Sequence, residues 1–280
     1  AATLREAVAY AWEIYGDAVL GSGERIWSHA LGMAVIVAGL RLDADSRMAA
    51  VLFAAPAYDE HAMTRIEERF GKAAAQLVNG ISRLNRLRPI TKGFVAASLE
   101  AGMVNPAEIR AQVEVLRKML LAMVEDIRVV LLRLASRTQT LRFYAAHADD
   151  LRVEVARETL DIYAPVAERL GLYNIKLELE DLGFRALYPQ RYRVIERTLK
   201  KARGNQKEFL PKIVKSIRQS LTKAGVNGKV EAREKHLYSV YMKMRRKRLS
   251  LSQVVDMFGV RIVVGSVDEC YRTLGLVHGL

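Results

Sequence analysis

The sequence predicts a mainly α chain: an all-α helical bundle over residues 1–145, a helical connector over 146–195, and the first part of an α/β domain over 196–280. Three observations carry that reading. Apolar residues recur at helical spacing almost throughout residues 1–145. From VNGKVEAR (226–233) onward the grammar changes to period-two alternation and then to a β-branched run, MFGVRIVV (257–264). Charge divides the chain as well: residues 191–250 hold nineteen Lys and Arg against four Glu, whereas the other 220 residues are together near neutral.

Within the bundle, NPAEIRAQVEVLRKMLLAMVED (105–126) is the clearest helix. Asn105 offers a cap, Pro106 suits the first helical position, and Glu108 can reach back to the cap amide. VEDIRVVLLRLASRTQTLRFY (124–144) reads as a further helix, too densely apolar for a surface position. After the polar AHADD (146–150) come two connector helices: LRVEVARETLDIYAPVAERL, stopped by Gly171, and NIKLELEDLGFRALYP, opened by Asn174 and ended near Pro189. A long basic helix follows, RYRVIERTLKKARGNQKEFLPKIVKSIRQSLTKAG, broken or kinked around Gly204 and Pro211. Strand, helix KHLYSVYMKMRRKR, strand, and helix DECYRTLGLVHGL then imply an α/β sheet. Two strands do not make a stable sheet alone, so the last domain reads as unfinished at Leu280.

Composition sets outer bounds. With 51% apolar residues the chain can bury a real core, and a lone Cys270 excludes an internal disulfide and fits a reducing compartment. No apolar run reaches the length of a membrane helix, and the first residues lack a basic leader with a cleavage site, so the expectation is a soluble cytoplasmic protein with no membrane partner. The net charge of +13 points to an anionic partner.

Specific motifs narrow that partner. AREKHLYSVYMKMRRKRLSLSQVVDMFGVRIVV with CYRTLGLVHGL resembles the start of the synthetase domain of the RelA/SpoT family, the makers of the alarmones ppGpp and pppGpp. IYAPVAERLGLYNIKLELEDLGFRALYP and SGERIWSHALGMAVIVAGL resemble the same family, so the likeness covers nearly the whole chain. It implies an HD-type hydrolase domain, a connector, and part of a nucleotidyltransferase-like domain of a GTP pyrophosphokinase. Such an enzyme moves pyrophosphate from ATP to the 3′-hydroxyl of GTP or GDP in the stringent response. The resemblance also implies ribosome and uncharged tRNA as partners, through a carboxy-terminal half.

In that family the first domain removes the 3′-pyrophosphate with a Mn²⁺ held by His, a His-Asp pair and a later Asp. The family pattern around the pair is roughly A-x-L-L-H-D-x-x-E-D, and this chain reads AVLFAAPAYD (50–59). The pair falls on Ala54 and Ala55, and the two acids on Tyr58 and Asp59. The later Asp, in a segment like L-A-D-R-x-x-N, falls on Ser136, and the Asn on Thr140. Of the four ligands only His29 remains, and one imidazole does not hold Mn²⁺ usefully. The expectation is a hydrolase fold without Mn²⁺ that does not hydrolyse, as in the dedicated-synthetase branch called RelA. His29 then reads as a structural or surface histidine and Asp59 as a helix-end carboxylate.

For the synthetase half, the resemblance places Arg233 against the ATP adenine, Lys235 on the phosphates, Asp256 on Mg²⁺, and Arg261 at a following family arginine. Lys235, Ser239 and Lys243 are spaced by four, so on one helix they share a face able to line a triphosphate. MRRKR (244–248) reads as a solvated face that widens the anion-attracting field, and Tyr238 and Tyr241 as packing residues. The family's guanine-stacking Tyr and second metal Glu belong beyond Leu280, so the expectation is little or no ppGpp synthesis by these residues alone. Three alternatives compete: a nucleic-acid-binding basic module, a metal hydrolase with ligands rearranged to His29, Asp59, Glu60 and His61, and a regulatory pseudo-hydrolase without activity of its own.

Overall fold

The structure, a computed structural model, describes residues 2–86, 126–147, 152–206, 209–254 and 258–280. The helix expected over 105–126 lies almost wholly outside the described residues, as does Asp256. The chain forms two compact units, Ala1–Leu187 and Tyr188–Leu280.

The first unit is all α among the described residues: α1 (Ala2–Tyr15), α2 (Ile26–Gly39), α3 (Ala44–Leu52), α4 (Ala62–Phe70), α5 (Lys72–Arg86), α6 (Ile127–Ala146), α7 (Arg152–Glu158), α8 (Ala164–Arg169) and α9 (Tyr173–Leu187). α2 contains no Asp, Glu, Lys or Arg. Such a helix belongs in the centre of a bundle, and α2 packs there against α3 and α6. α6 buries ten residues, as its apolar density requires, and starts at Asp126, whose carboxylate accepts from the Arg128 amide.

Two sequence expectations change here. The helix read as continuous over 151–170 contains a wide π turn, Thr159–Tyr163, between α7 and α8. Pro165 explains it: the ring removes one amide donor and crowds the carbonyl four residues back, and one extra residue in the turn relieves both. Gly171, at φ +72°, ends α8 as expected. The connector drawn at 146–195 is not a separate element either. Val155, Ala156, Ile162, Val166, Ile175 and Leu179 share the core of α1–α6, so residues 152–187 are part of the first unit.

The second unit holds α10 (Pro189–Gln206), α11 (Phe209–Lys223), β1 (Gly228–Glu234), α12 (Leu237–Lys247), β2 (Phe258–Val264) and α13 (Val267–His278). Gly204 lies within α10 and Pro211 within the first turn of α11, and residues 207–208 between the two helices lie outside the described residues. β1 and β2 pair antiparallel, with Val230 opposite Ile262 and Glu231 opposite Arg261. Alternation then puts Val230, Val260, Ile262 and Val264 on one face, where they pack with Ile217 and Leu221 of α11 and Leu276 and Val277 of α13. Lys229, Glu231, Arg261 and Val263 stand on the other face, exposed.

Candidate functional site

The centre of the first unit holds a hydrogen-bonded chain of four polar side chains. His29, on α2, is 1% exposed and Glu24, in the loop before it, is 3% exposed. His29 Nδ1 lies 2.7 Å from Glu24 Oε2, and Nε2 lies 2.9 Å from Ser136 Oγ on α6. One turn beyond Ser136, Gln139 Nε2 donates to the other Glu24 oxygen at 2.6 Å. A carboxylate accepts only, so Nδ1–H donates to Glu24, while Nε2 and the Ser136 hydroxyl share the second hydrogen bond. The Phe53 ring covers the imidazole, its centroid 5.3 Å away. A Cβ at Gly32, one turn after His29, would displace the Gln139 side chain from this position.

Of the residues that the resemblance puts at or beside ligand positions, His29 and Ser136 belong to this chain of hydrogen bonds. Ala55 is fully buried in the 3₁₀ turn Ala55–Ala57, and Ala54 offers only its amide, which donates to the Tyr15 hydroxyl at 3.2 Å. Tyr15 in turn donates to the Val51 carbonyl at 2.8 Å, and burial pushes its phenol well above the usual range. Tyr58 is half exposed. Asp59 accepts from the His61 amide at 2.9 Å, Arg65 at 2.9 Å and Tyr10 at 3.2 Å. Those bonds, the His61 amide foremost, hold its carboxyl below the usual carboxylate range. Thr140 donates its hydroxyl to the Ser136 carbonyl at 3.0 Å.

This set does not fit Mn²⁺. Both His29 nitrogens are engaged within the protein, two ligand positions carry methyl groups, and the third carries a neutral hydroxyl. Among the described residues no three His, Cys, Asp or Glu side chains gather to hold a metal, which also leaves the rearranged set of His29, Asp59, Glu60 and His61 without geometry. The order serine, histidine, carboxylate is that of a nucleophilic relay. Ser136, however, is 7% exposed in the middle of α6, where no substrate carbonyl can approach.

Sequence reasoning missed Glu24, Gln139 and Arg137. Glu24 and Gln139 become partners of His29 only through the approach of α2 to α6, which no local pattern reports. Arg137, 3% exposed, pairs with Glu158 at 2.6 Å and lies 4.4 Å over the Tyr163 ring, tying α6 to the π turn. Burial alone would raise the Tyr163 phenol, but Arg133 and Arg137 outweigh it and bring it below the usual range.

In the second unit, strand parity puts the Arg233 position on the same sheet face as exposed Arg261, with Gly259 opposite it in register. Lys235 does not share the helix face of Ser239 and Lys243. α12 begins at Leu237 after an extended His236, so Lys235 precedes the helix, and the shared face expected for all three holds for Ser239 and Lys243 only. Tyr241 is buried and accepts from Arg191 Nη1 at 2.9 Å, which makes it a packing residue as expected.

An α-helical unit centred on a buried imidazole is thus followed by a smaller unit with cations on one sheet face. The chain belongs to the HD domain family, whose model matches residues 7–173, and residues 232–280 match the region found in RelA / SpoT proteins. It is 42% identical over 277 residues to the bifunctional (p)ppGpp synthase/hydrolase SpoT of Escherichia coli K12, covering 99% of this chain and 37% of that protein. It is 34% identical over 278 residues to a guanosine-3′,5′-bis(diphosphate) 3′-pyrophosphohydrolase of Aquifex aeolicus, covering 99% and 37%. To the GTP pyrophosphokinase rsh of Brucella suis it is 35% identical over 279 residues, covering 99% and 35%. The chain thus spans little more than a third of the length of these relatives. A solved metazoan protein, described as an ortholog of SpoT that hydrolyzes ppGpp, aligns at 18% identity and TM-score 0.41 over 66% of this chain and 95% of its own. That likeness carries no argument. No described helix is long and apolar enough to cross a membrane.

Proposed function

We propose that the protein serves (p)ppGpp metabolism as a synthetase of the RelA-like branch, transferring pyrophosphate from ATP to the 3′-hydroxyl of GTP or GDP, while its HD-type unit no longer hydrolyses the product. The observation that carries this reading is the hydrogen-bonded chain Ser136–His29–Glu24–Gln139. In it, the two residues that the resemblance puts at ligand positions, His29 and Ser136, are bonded to each other. Support for the synthetase half is the RelA/SpoT match at 232–280 and the cationic sheet face of Arg261 and the Arg233 position. The Mg²⁺ of that reading belongs to Asp256.

A hydrolase reading has its own support in the names of relatives at 34–42% identity. It needs a metal, and what speaks against one is that the resemblance puts Ala54, Ala55 and Ser136 at ligand positions. Incubating the protein with ppGpp over a wide range of Mn²⁺ and following pyrophosphate release separates the two. We expect no release above a metal-free blank; release that rises with Mn²⁺ returns the protein to the hydrolases.

A further inference from the structure

The second unit carries more positive charge than its candidate nucleotide face uses. Tyr188–Leu280 holds twenty-one Lys and Arg against seven Asp and Glu, whereas the first unit has a net charge of −1. Lys229, the Arg233 position and Arg261 lie on one face of the sheet, and α11 packs on the opposite face through Ile217 and Leu221. The cations of α11 therefore belong to a different surface.

α11 reads FLPKIVKSIRQSLTK, with no acidic residue. At 100° per residue Lys212, Lys215, Arg218 and Lys223 fall within an arc of about 140° turned away from the core. Lys215, Arg218, Gln219, Thr222 and Lys223 line a shallow open cleft of about 640 Å³. All five are exposed. Arg218 is held in place by donating to the Val230 carbonyl at 2.9 Å. Lys215 and Lys223 have no ion-pair or hydrogen-bond partner among the described residues, and they stand ~12 Å apart along the helix axis.

Two classes of anionic partner do not suit this face. A bilayer would take the apolar side of an amphipathic helix, but Ile217 and Leu221 are already buried in the sheet. A mononucleotide needs a contact for its base, and the described outer face of α11 offers no aromatic ring. A repeating phosphate backbone does suit it: spaced, solvated cations supply the attraction, and interleaved amide and hydroxyl groups give directional bonds. Gln219 and Thr222 can both donate to and accept from a ribose 2′-hydroxyl. We infer that the outer face of α11 binds the phosphate backbone of RNA, independently of the sheet face.

The test uses the whole 280-residue protein and a labelled single-stranded RNA of about 20 nucleotides, read by fluorescence anisotropy across a salt series. Binding should weaken steeply with salt. Lys215→Glu with Lys223→Glu should lower affinity at least tenfold. The neutral pair Lys215→Gln with Lys223→Gln, the safer variant for folding, should lower it several-fold and flatten the log–log salt slope by about 1.4, the share of two phosphate contacts on a single strand. Arg261→Gln should leave RNA affinity unchanged, as should saturating ATP. Parent-like affinity in both lysine pairs overturns the proposal, and so does loss of binding with Arg261→Gln or with ATP. DNA of the same sequence bound as tightly as RNA overturns the assignment to RNA.

Discussion

The two units handle polar side chains in opposite ways. At the centre of Ala1–Leu187, Glu24, His29, Ser136 and Gln139 are withdrawn from water and bonded to one another, and Arg137 is buried against Glu158 and Tyr163. In Tyr188–Leu280, Lys215, Lys223, Arg245, Arg246, Lys247 and Arg248 stand exposed, and none has a partner among the described residues. The difference teaches what each set does. Buried polar groups that satisfy one another specify packing, and removing one leaves an orphan. Exposed cations add little to stability and are available to an anion.

The sharpest way to break this comparison is to restore a ligand type in the first unit. Ala55 is fully buried. Ala55→Asp should cost about 4 kcal/mol, the scale for a buried carboxylate without a partner. Urea unfolding measures it, and a variant as stable as the parent would mean that water already reaches the turn after α3. Adding Ala54→His and Ser136→Asp supplies the missing donor types, and Mn²⁺ should then raise the melting temperature of the triple variant while leaving the parent unchanged.

Removing the imidazole is the next largest change. His29→Leu keeps the volume close to constant but strands the Glu24 carboxylate and the Ser136 hydroxyl, at about 3 kcal/mol. Lys215→Gln in the second unit should stay within about 0.5 kcal/mol, as surface substitutions do. A His29 variant as mild as the lysine variant would erase the contrast between the units.

How much of this was legible depends on the range of each cause. Local signals placed the elements well: the uncharged α2, the apolar α6, Gly171 at φ +72°, and the alternation of β1 all follow from neighbours in sequence. The departures at Ala54, Ala55 and Ser136 from the motifs that the chain resembles were also legible, because the spacing of those motifs is fixed. The partners of His29 were not. Glu24 and Gln139 are 115 residues apart and meet only because α2 and α6 pack closely at Gly32. Lys235 shows the opposite limit: spacing by four shares a face only if the helix has begun, and the extended His236 delays it to Leu237.

The smallest predicted effect concerns acid, and it tests whether the first unit also uses charge at its edge. Asp43 caps α3 by accepting from the Ser46 amide at 2.8 Å, Asp126 caps α6 from the Arg128 amide at 2.9 Å, and the Arg128 guanidinium reaches both carboxylates at 2.6 Å. Burial raises the Asp43 carboxyl, but Ser46 and Arg128 bring it below its usual value; for Asp126 the Arg128 bond is the main cause of the same shift. A carboxyl whose folded pKa is depressed stabilises the fold above its unfolded value, near pH 4, and that contribution disappears as pH falls through the folded value. Asn caps a helix about as well as Asp, so Asp43→Asn keeps the cap and removes the charge. With both carboxylates more than a third exposed, the effect should stay under about 1 kcal/mol. Urea unfolding at pH 6 and pH 3 should show a smaller acid loss for Asp43→Asn than for the parent, and an equal loss would place the acid sensitivity elsewhere. Lys229→Gln on the exposed sheet face, which frees Glu231, should leave both values unchanged, because a fully solvated pair contributes little to folding at any pH.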